Sequence, residues 1–165
     1  MMDITKWHNS LHNILISGSV ASIASAISLA LLGKSELNRF AAPLNGPSQW
    51  IWGRHAPYVN SLSFRYTFVG YTIHHAASIF WAIGYERLRR RLRPPETTSA
   101  VLAPAVVTAV AAYTVDFYLI PKRLTPGFEN RLSKRSLLFV YGAFALGLAA
   151  PALLARNRKF RPNQG

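Results

Sequence analysis

The chain has 165 residues, half of them hydrophobic, and it carries 19 Lys and Arg against 6 Asp and Glu. A formal net charge of +13 would by itself suggest a nucleic-acid-binding protein. The cations, however, cluster just outside long apolar runs, where anionic lipid headgroups lie, so we expect no nucleic-acid partner. Cysteine is absent, which excludes disulfides, thiolate metal sites and covalent haem attachment.

Four apolar runs follow one another along the chain, at residues 14–33, 66–85, 101–120 and 136–154. Each is close to the roughly 20 residues that a helix needs to cross about 30 Å of hydrocarbon, and none contains Lys or Arg. The sequence therefore predicts an all-α fold, a polytopic membrane protein with four transmembrane helices in a compact bundle. We expect residues 1–165 to form a single membrane domain.

The first run also has one feature of a secretory signal peptide. Ser28 and Ala30 are small residues at the spacing of a cleavage site. The run is longer than the roughly 7 to 15 apolar residues of a signal peptide, and the segment before it holds a single lysine, Lys6. We expect the first helix to be retained.

The connections between the runs contain interfacial residues. Within the longest connection, residues 40–60 place Trp50 and Trp52 among turn-forming residues, which is typical of a broken segment at headgroup depth. The next connection carries Arg89, Arg90 and Arg91, which we expect to anchor the chain on anionic headgroups of the bilayer.

The distribution of cations bears on the orientation of the chain in the membrane. Lys and Arg divide almost equally between the two sides of a four-helix topology, but they are denser in the second connection and in the C-terminal tail. Because cytoplasmic loops carry the excess of positive charge, we expect the termini to be cytoplasmic.

The second run carries a polar stripe inside an otherwise apolar helix. Tyr71, His74 and Ser78 share one face at steps of three and four residues, and His75 lies beside it. In the third run, Asp116 lies near one end of the helix, at a depth close to that of the histidines. We expect His74 or His75 to contact Asp116 or Tyr113, directly or through water. The resulting intramembrane polar seam comprises Tyr71, His74, His75, Ser78, Tyr113 and Asp116.

Ionisable groups at membrane depth are costly and usually mark a functional path, whereas a neutral buried histidine also serves simple packing. Haem ligation by two histidines is disfavoured because the third and fourth runs contain no histidine. A metal site from His74 or His75 with Asp116 and His55 lacks a local ligand motif, and no Gly-x-Ser-x-Gly motif indicates a hydrolase. We therefore expect no cofactor, no metal and no catalytic residue.

Two further features concern packing. Glu86 lies at the basic end of the second helix, where we expect a surface ion pair with Arg89 or Arg90. Small residues form faces on the first and fourth helices that permit close helix contacts, within this bundle or with another protein. They are Gly18, Ser22 and Ser25 in the first helix and Gly142, Ala143 and Gly147 in the fourth.

Three stretches carry a resemblance to a known family. They are residues 43–53, which read PLNGPSQWIWG, residues 70–82, which read GYTIHHAASIFWA, and the Asp116-Phe117 pair followed by residues 121–129, PKRLTPGFE. Together they resemble a family of small four-helix bacterial inner-membrane proteins with no assigned function. The resemblance implies four spans in a bacterial inner membrane, and it implies no reaction or ligand.

Two classes of function remain open. In the first, the protein is a structural or accessory subunit that packs in or against a larger membrane complex or a second copy of itself. In the second, it is a small transporter or proton-handling protein that uses the polar seam. A dry, fully hydrogen-bonded seam would support the first class, and a seam accessible to water would support the second.

Overall fold

The structure is a computed structural model that describes residues 4–92 and 97–159, and all regular elements in this part of the chain are helical. Three short 3₁₀ turns lie in the connections, and π-helical turns at Phe64–Phe68 and Val115–Leu119 extend the fourth and fifth helices. The α-helices are α1 (Ile4–Leu37), α2 (Ala41–Asn45), α3 (Gln49–Trp52), α4 (Val69–Arg91), α5 (Thr98–Thr114) and α6 (Lys134–Lys159).

The four long helices pack side by side as a bundle. α1 lies between α4 and α6, and α5 contacts both of those helices on the other side. Small residues bring α1 close to its neighbours: a Cβ atom on Gly18 would lie 2.8 Å from Ile79 Cα in α4, and one on Gly147 in α6 would lie 2.5 Å from Ala21 Cα. The predicted all-α bundle is confirmed for the described residues, and the long helices begin earlier or end later than their apolar runs.

Three of the long helices are long and apolar enough to cross a membrane. They are Ser10–Leu37, Thr98–Leu119 and Lys134–Asn157. The prediction of transmembrane helices is confirmed to this extent. α4 is long enough but contains polar residues such as His74, His75 and Ser78, which lower its mean hydropathy.

Large apolar side chains cover the outside of the bundle, whereas its interior is rich in alanine and serine. This inside-out distribution is typical of helices packed in lipid, because small residues allow close helix contact and outward apolar side chains meet the acyl chains. Exposed examples are Leu15, Ile23 and Leu31 in α1, Val106 and Val110 in α5, and Leu138, Phe139 and Leu146 in α6.

The two ends of the bundle differ. At the loop end, the connections between α1 and α4 and between α5 and α6 fold against each other. At the basic end, the exposed residues Arg87, Arg90 and Arg91 close α4, beside the first half of α1 and the last turns of α6. The tail beyond residue 159, which entered the orientation argument, lies outside the described residues.

The tryptophan-containing segment 40–60 is more ordered than a broken interfacial loop. It forms α2, α3 and two 3₁₀ turns, and the side chain of Asn45 is fully buried. Asn45 Nδ2 donates to the carbonyls of Val59 at 2.7 Å and Ser61 at 3.1 Å. Trp50 lies at the rim of this folded segment, 40% exposed, and its Nε1 donates to the Leu124 carbonyl at 2.8 Å.

Candidate functional site

A partly open pocket with a volume of about 60 Å³ lies among the four long helices next to the loop end. We call it the central cavity. All four long helices contribute polar side chains to its wall: Ser25 from α1, His74 and Ser78 from α4, Asp116 from the turn after α5, and Tyr141 from α6. The two connections at the loop end form its roof with Pro47, Trp50, Pro126 and Phe128.

His74 is held against α1. Its Nε2 lies 2.9 Å from Ser25 Oγ, and Ser25 donates its own proton to the Ala21 carbonyl at 2.7 Å. With the single Ser25 proton on the Ala21 carbonyl, the donor between the two side chains is the His74 Nε2–H. Ser78, one turn further along α4, donates to the His74 carbonyl at 2.8 Å.

Asp116 is held against α6. The Tyr141 hydroxyl donates to Asp116 Oδ2 at 2.6 Å, and Tyr141 itself is buried. The ring of Tyr113 lies edge-on to the Tyr141 ring, with 5.2 Å between the centroids. Asp116 belongs to the π-helical turn Val115–Leu119, and such turns in helices often occur at functional sites.

The predicted direct contact between an imidazole and Asp116 or Tyr113 is wrong for the described residues. His74 bonds to Ser25, and Asp116 bonds to Tyr141. Nδ1 of His75 is buried without a hydrogen-bond partner in this part of the chain, and its ring lies against Tyr71 at 5.8 Å. His74 and Asp116 nevertheless lie in the same part of the bundle, as predicted, because both line the central cavity.

The cavity has room for water between these two side chains. One water needs about 10–15 Å³ of such space, so about 60 Å³ accommodates a few molecules. His74 and Asp116 are both half-buried, which leaves part of each side chain accessible. Water in the cavity would therefore lie beside both the imidazole and the carboxyl group.

The arrangement places two proton-binding side chains, His74 and Asp116, beside one space. Within the described residues, no group of three or more His, Asp or Glu side chains is placed to hold a metal ion. Imidazole and carboxyl groups next to water can each take up and release a proton. The chemistry that the central cavity offers is therefore acid–base exchange.

A second polar cluster lies at the basic end. Glu86 accepts hydrogen bonds from Arg89 Nη2 at 2.9 Å and from Ser17 Oγ at 3.2 Å, and Arg90 Nε lies 4.0 Å from it. The predicted ion pair is confirmed, but its description as a surface pair is wrong because Glu86 is only 2% exposed. Of the predicted anchors, Arg89 is engaged by Glu86, whereas Arg91 points outward.

Sequence reasoning did not find Ser25 and Tyr141 as partners of the ionisable residues. Ser25 was interpreted as part of a small-residue packing face, and it also accepts the imidazole hydrogen bond. Tyr141 is the only tyrosine in the fourth apolar run, which is a usable signal for a buried hydroxyl. Which acid it meets depends on the register of α6 against α5, which the sequence does not reveal.

Comparison with models of protein families, with curated proteins and with solved structures gives no match. The resemblance to small four-helix bacterial inner-membrane proteins stays a prediction.

Proposed function

We propose that this chain is a four-span membrane protein that handles protons through the central cavity. One observation carries the proposal: His74 and Asp116, from different helices, line one cavity with room for water. Each is held by a neutral hydroxyl instead of by the other. Ionisable residues inside membrane bundles are costly and commonly serve proton or ion pathways.

The size of the cavity favours protons over a larger solute. About 60 Å³ holds a few waters, which is far below the roughly 300 Å³ or more of typical small-molecule pockets. Most of its wall is apolar, with residues such as Ile73, Val140 and Phe144 around the polar groups. Such a wall excludes hydrated ions and leaves proton exchange through water as the supported chemistry.

The proposal includes α4 as the fourth span. Its 23 residues extend over about 35 Å at 1.5 Å per residue, which is enough for the hydrocarbon core. Its polar residues His74 and Ser78 face the bundle interior, whereas Phe80 is 65% exposed on the outside. Four spans place both termini on the side of the arginine-rich end of α4, which we assign to the cytoplasm of a bacterial inner membrane.

The small-residue faces do not require a partner protein. Gly18 contacts α4, and Gly147 contacts α1, so both close approaches join helices of this bundle. The role of a structural or accessory subunit then rests on the exposed apolar surface, which lipid covers equally well. Absence of proton flux would favour this structural or accessory role.

Reconstitution in liposomes tests the proposal. Vesicles with an internal pH-sensitive dye receive a K⁺ diffusion potential from valinomycin, and the initial rate of the internal pH change reports proton flux. We expect the wild type to exceed protein-free vesicles. We expect Asp116→Asn and His74→Asn to lower the rate at least tenfold, because each removes one proton-binding group from the cavity.

His55→Asn is the matched control. His55 is exposed in the connection at the loop end, where its ring bonds to Tyr66 at 3.1 Å. Because it does not line the central cavity, its replacement should leave the flux unchanged. Equal rates for wild-type and protein-free vesicles would overturn the proposal and support a structural role.

A further inference from the structure

An open crevice lies at the loop end, immediately outside the central cavity. Its volume is about 410 Å³, and we call it the outer crevice. Its wall combines cationic and acidic side chains with neutral polar ones: Gln49, Arg54, Lys122, Thr125, Glu129 and Asn130.

Neighbouring residues of the chain line the outer crevice and the central cavity, so the two spaces share a boundary. In four pairs of consecutive residues, one member lines the outer crevice and the other lines the central cavity. On the helices, Asp116 lines the cavity and Phe117 lines the crevice. In the roof, the pairs are Gln49 with Trp50, Thr125 with Pro126, and Phe128 with Glu129.

Glu129 is the acidic group on the crevice side of this boundary. Its Oε1 accepts a hydrogen bond from Thr125, whereas its buried Oε2 has no partner among the described residues. Burial raises the pKa of the Glu129 carboxyl above its ordinary value. Its charge acts on Asp116 and Tyr141 across the boundary, while Arg54 and Lys122 share the crevice with it.

Buried polar groups also continue from the central cavity toward the basic end. On α1, Ser22 lies three residues from Ser25, and on α4, Ser78 and Tyr85 follow His74 on one face. Ser22 Oγ and the Tyr85 hydroxyl are buried without hydrogen-bond partners in the described part of the chain. Buried polar atoms are nearly always satisfied, so water beside them is expected.

The buried polar residues on the basic-end side of the cavity lead to another open space. Glu86 directly follows Tyr85, accepts a hydrogen bond from Ser17, and lines a crevice of about 540 Å³ together with His12 and Arg89. We call it the basic crevice. Residues of all four long helices form it, so it opens at the axis of the bundle.

We propose that the central cavity is the middle of a single proton path that crosses the bundle between the two crevices. The proposal rests on the proposed function, and it names the groups through which the proton enters and leaves. In order from the loop end they are Glu129, Asp116, His74, Ser22 with Ser78, Tyr85 and Glu86.

The path accounts for three of the four unpartnered buried side-chain atoms in the described residues; the fourth, His75 Nδ1, lies beside Tyr71 and off the path. Glu129 lines the outer crevice, and along α1 and α4 Ser22 and Tyr85 lie on the basic-end side of Ser25 and Ser78, which line the cavity. A packing role would satisfy such atoms or replace them with apolar ones, since an unsatisfied buried polar group is costly. A hydrated path satisfies them with water that also conducts the proton.

Proton flux in the reconstituted full chain tests both halves of the path. Glu129→Gln removes the proposed group at the loop end, and Tyr85→Phe removes the hydroxyl between the cavity and Glu86. We expect each to lower the rate at least fivefold. Glu129→Asp, which keeps the carboxyl group, should retain more flux than Glu129→Gln. Tyr118→Phe changes a 71% exposed tyrosine that lines neither the cavity nor the two crevices, and it should leave the rate unchanged.

Silver ions provide a test that does not depend on removing a path residue. The wild type has no cysteine, so Ser22→Cys carries one thiol on the path and Ile23→Cys carries one on the exposed surface of α1. We expect Ag⁺ to abolish the flux of Ser22→Cys and to leave Ile23→Cys and the wild type active. The two positions are adjacent in α1, so the two variants differ only in whether the thiol faces the bundle interior or the exposed surface.

The outcomes separate the path from the proposed function. A wild type that conducts and depends on Asp116, with Tyr85→Phe and Ser22→Cys plus Ag⁺ at the wild-type rate, would overturn the path and leave the function standing. A wild type without flux would overturn both. Loss of flux in Glu129→Gln and Tyr85→Phe, with inhibition of Ser22→Cys alone by Ag⁺, would support the path.

Discussion

At the scale of single residues, the central cavity depends on hydroxyl groups that hold ionisable side chains. Tyr141 donates to Asp116 across α5 and α6, and Ser25 accepts from His74 across α1 and α4. Each bond ties one proton-binding group to a helix other than its own. The two bonds therefore position the groups and join the four long helices in pairs.

Replacement of Tyr141 by Phe tests the bond to Asp116. It removes the hydroxyl donor at 2.6 Å and leaves the buried ring in place. Because a hydrogen bond to a charged acceptor contributes about 1.5–3 kcal/mol, we expect the free energy of unfolding in detergent to fall by that amount. Tyr118→Phe, at a 71% exposed tyrosine, should change it by less than about 0.5 kcal/mol. Equal effects of the two substitutions would contradict the assigned role of Tyr141.

Glu129 gives a prediction for pH dependence. Burial raises its pKa in the folded chain above the ordinary value of 4.5, so the folded state holds this proton more tightly than the unfolded state. Its contribution to stability is therefore present at low pH and is lost as pH rises through the raised pKa. Since Gln cannot ionise, Glu129→Gln should gain stability relative to the wild type as pH rises from about 4 to about 8.

The measurement is the difference in melting temperature between the two proteins across that pH series. Arg54, Lys122 and Asp116 are the charged groups around Glu129, and all three are common to both proteins. A difference that stays constant with pH, or that moves in the opposite direction, would contradict the raised pKa.

The sequence is sufficient to select the ionisable residues of the site but not their partners. His74 and Asp116 stand out because charged or polar groups are rare in apolar runs. Which residues meet them depends on how α1 and α6 are rotated about their own axes. The sequence does not fix that rotation, so it does not identify Ser25 and Tyr141 as the partners. The burial of Glu86 has the same origin, because α1 covers it through Ser17.

At the scale of the helices, close packing of α1 with α6 depends on one glycine. A Cβ atom on Gly147 would lie 2.5 Å from Ala21 Cα and 2.9 Å from Ala21 N. Both contacts are with backbone, so no side-chain rotation relieves them. The register of these helices, and with it the position of Tyr141, therefore requires a glycine here.

Gly147→Ala should destabilise the bundle, whereas Gly142→Ala should not. Overpacking of this kind costs about 1–3 kcal/mol, which we expect as a loss in the free energy of unfolding for Gly147→Ala. A Cβ atom on Gly142, five residues earlier in α6, meets nothing within 4 Å. Alanine there should stabilise α6 by up to about 1 kcal/mol through helix propensity. A gain in stability for both variants would contradict the close contact of α1 and α6.

The connections at the loop end were the least predictable elements. Their turn-forming residues indicate a broken segment, and the structure shows why they are needed. Gly127 has a φ of 84°, and a Cβ atom on it would lie 2.5 Å from the Gly46 carbonyl oxygen. This contact joins residues about 80 positions apart in the chain, and local sequence patterns carry no information about such pairs.

At the scale of the whole molecule, the four-span topology follows from treating α4 as a membrane helix. The natural absence of cysteine permits a clean test, since every single-cysteine variant has one thiol. Arg91→Cys lies at the basic end and Tyr58→Cys at the loop end, and both residues are exposed. We expect a membrane-impermeant thiol reagent added to intact cells to label only Tyr58→Cys, because α4 separates the two positions.

Labelling of both thiols from the same side would show that α4 does not span. Labelling of Arg91→Cys alone would keep four spans and reverse the orientation. Both variants should be labelled in detergent, which controls for the reactivity of each thiol.

The proposed function requires that Asp116 exchange a proton with water inside the bundle. Infrared difference spectroscopy of the reconstituted protein between low and high pH measures this directly, through the carbonyl band of a protonated carboxyl group. We predict a band that shifts in D₂O, disappears in Asp116→Asn and persists in Glu129→Gln, because D₂O reaches the cavity that Asp116 lines. The same spectrum in wild type and Asp116→Asn would contradict the claim, and so would a band of Asp116 that D₂O does not shift.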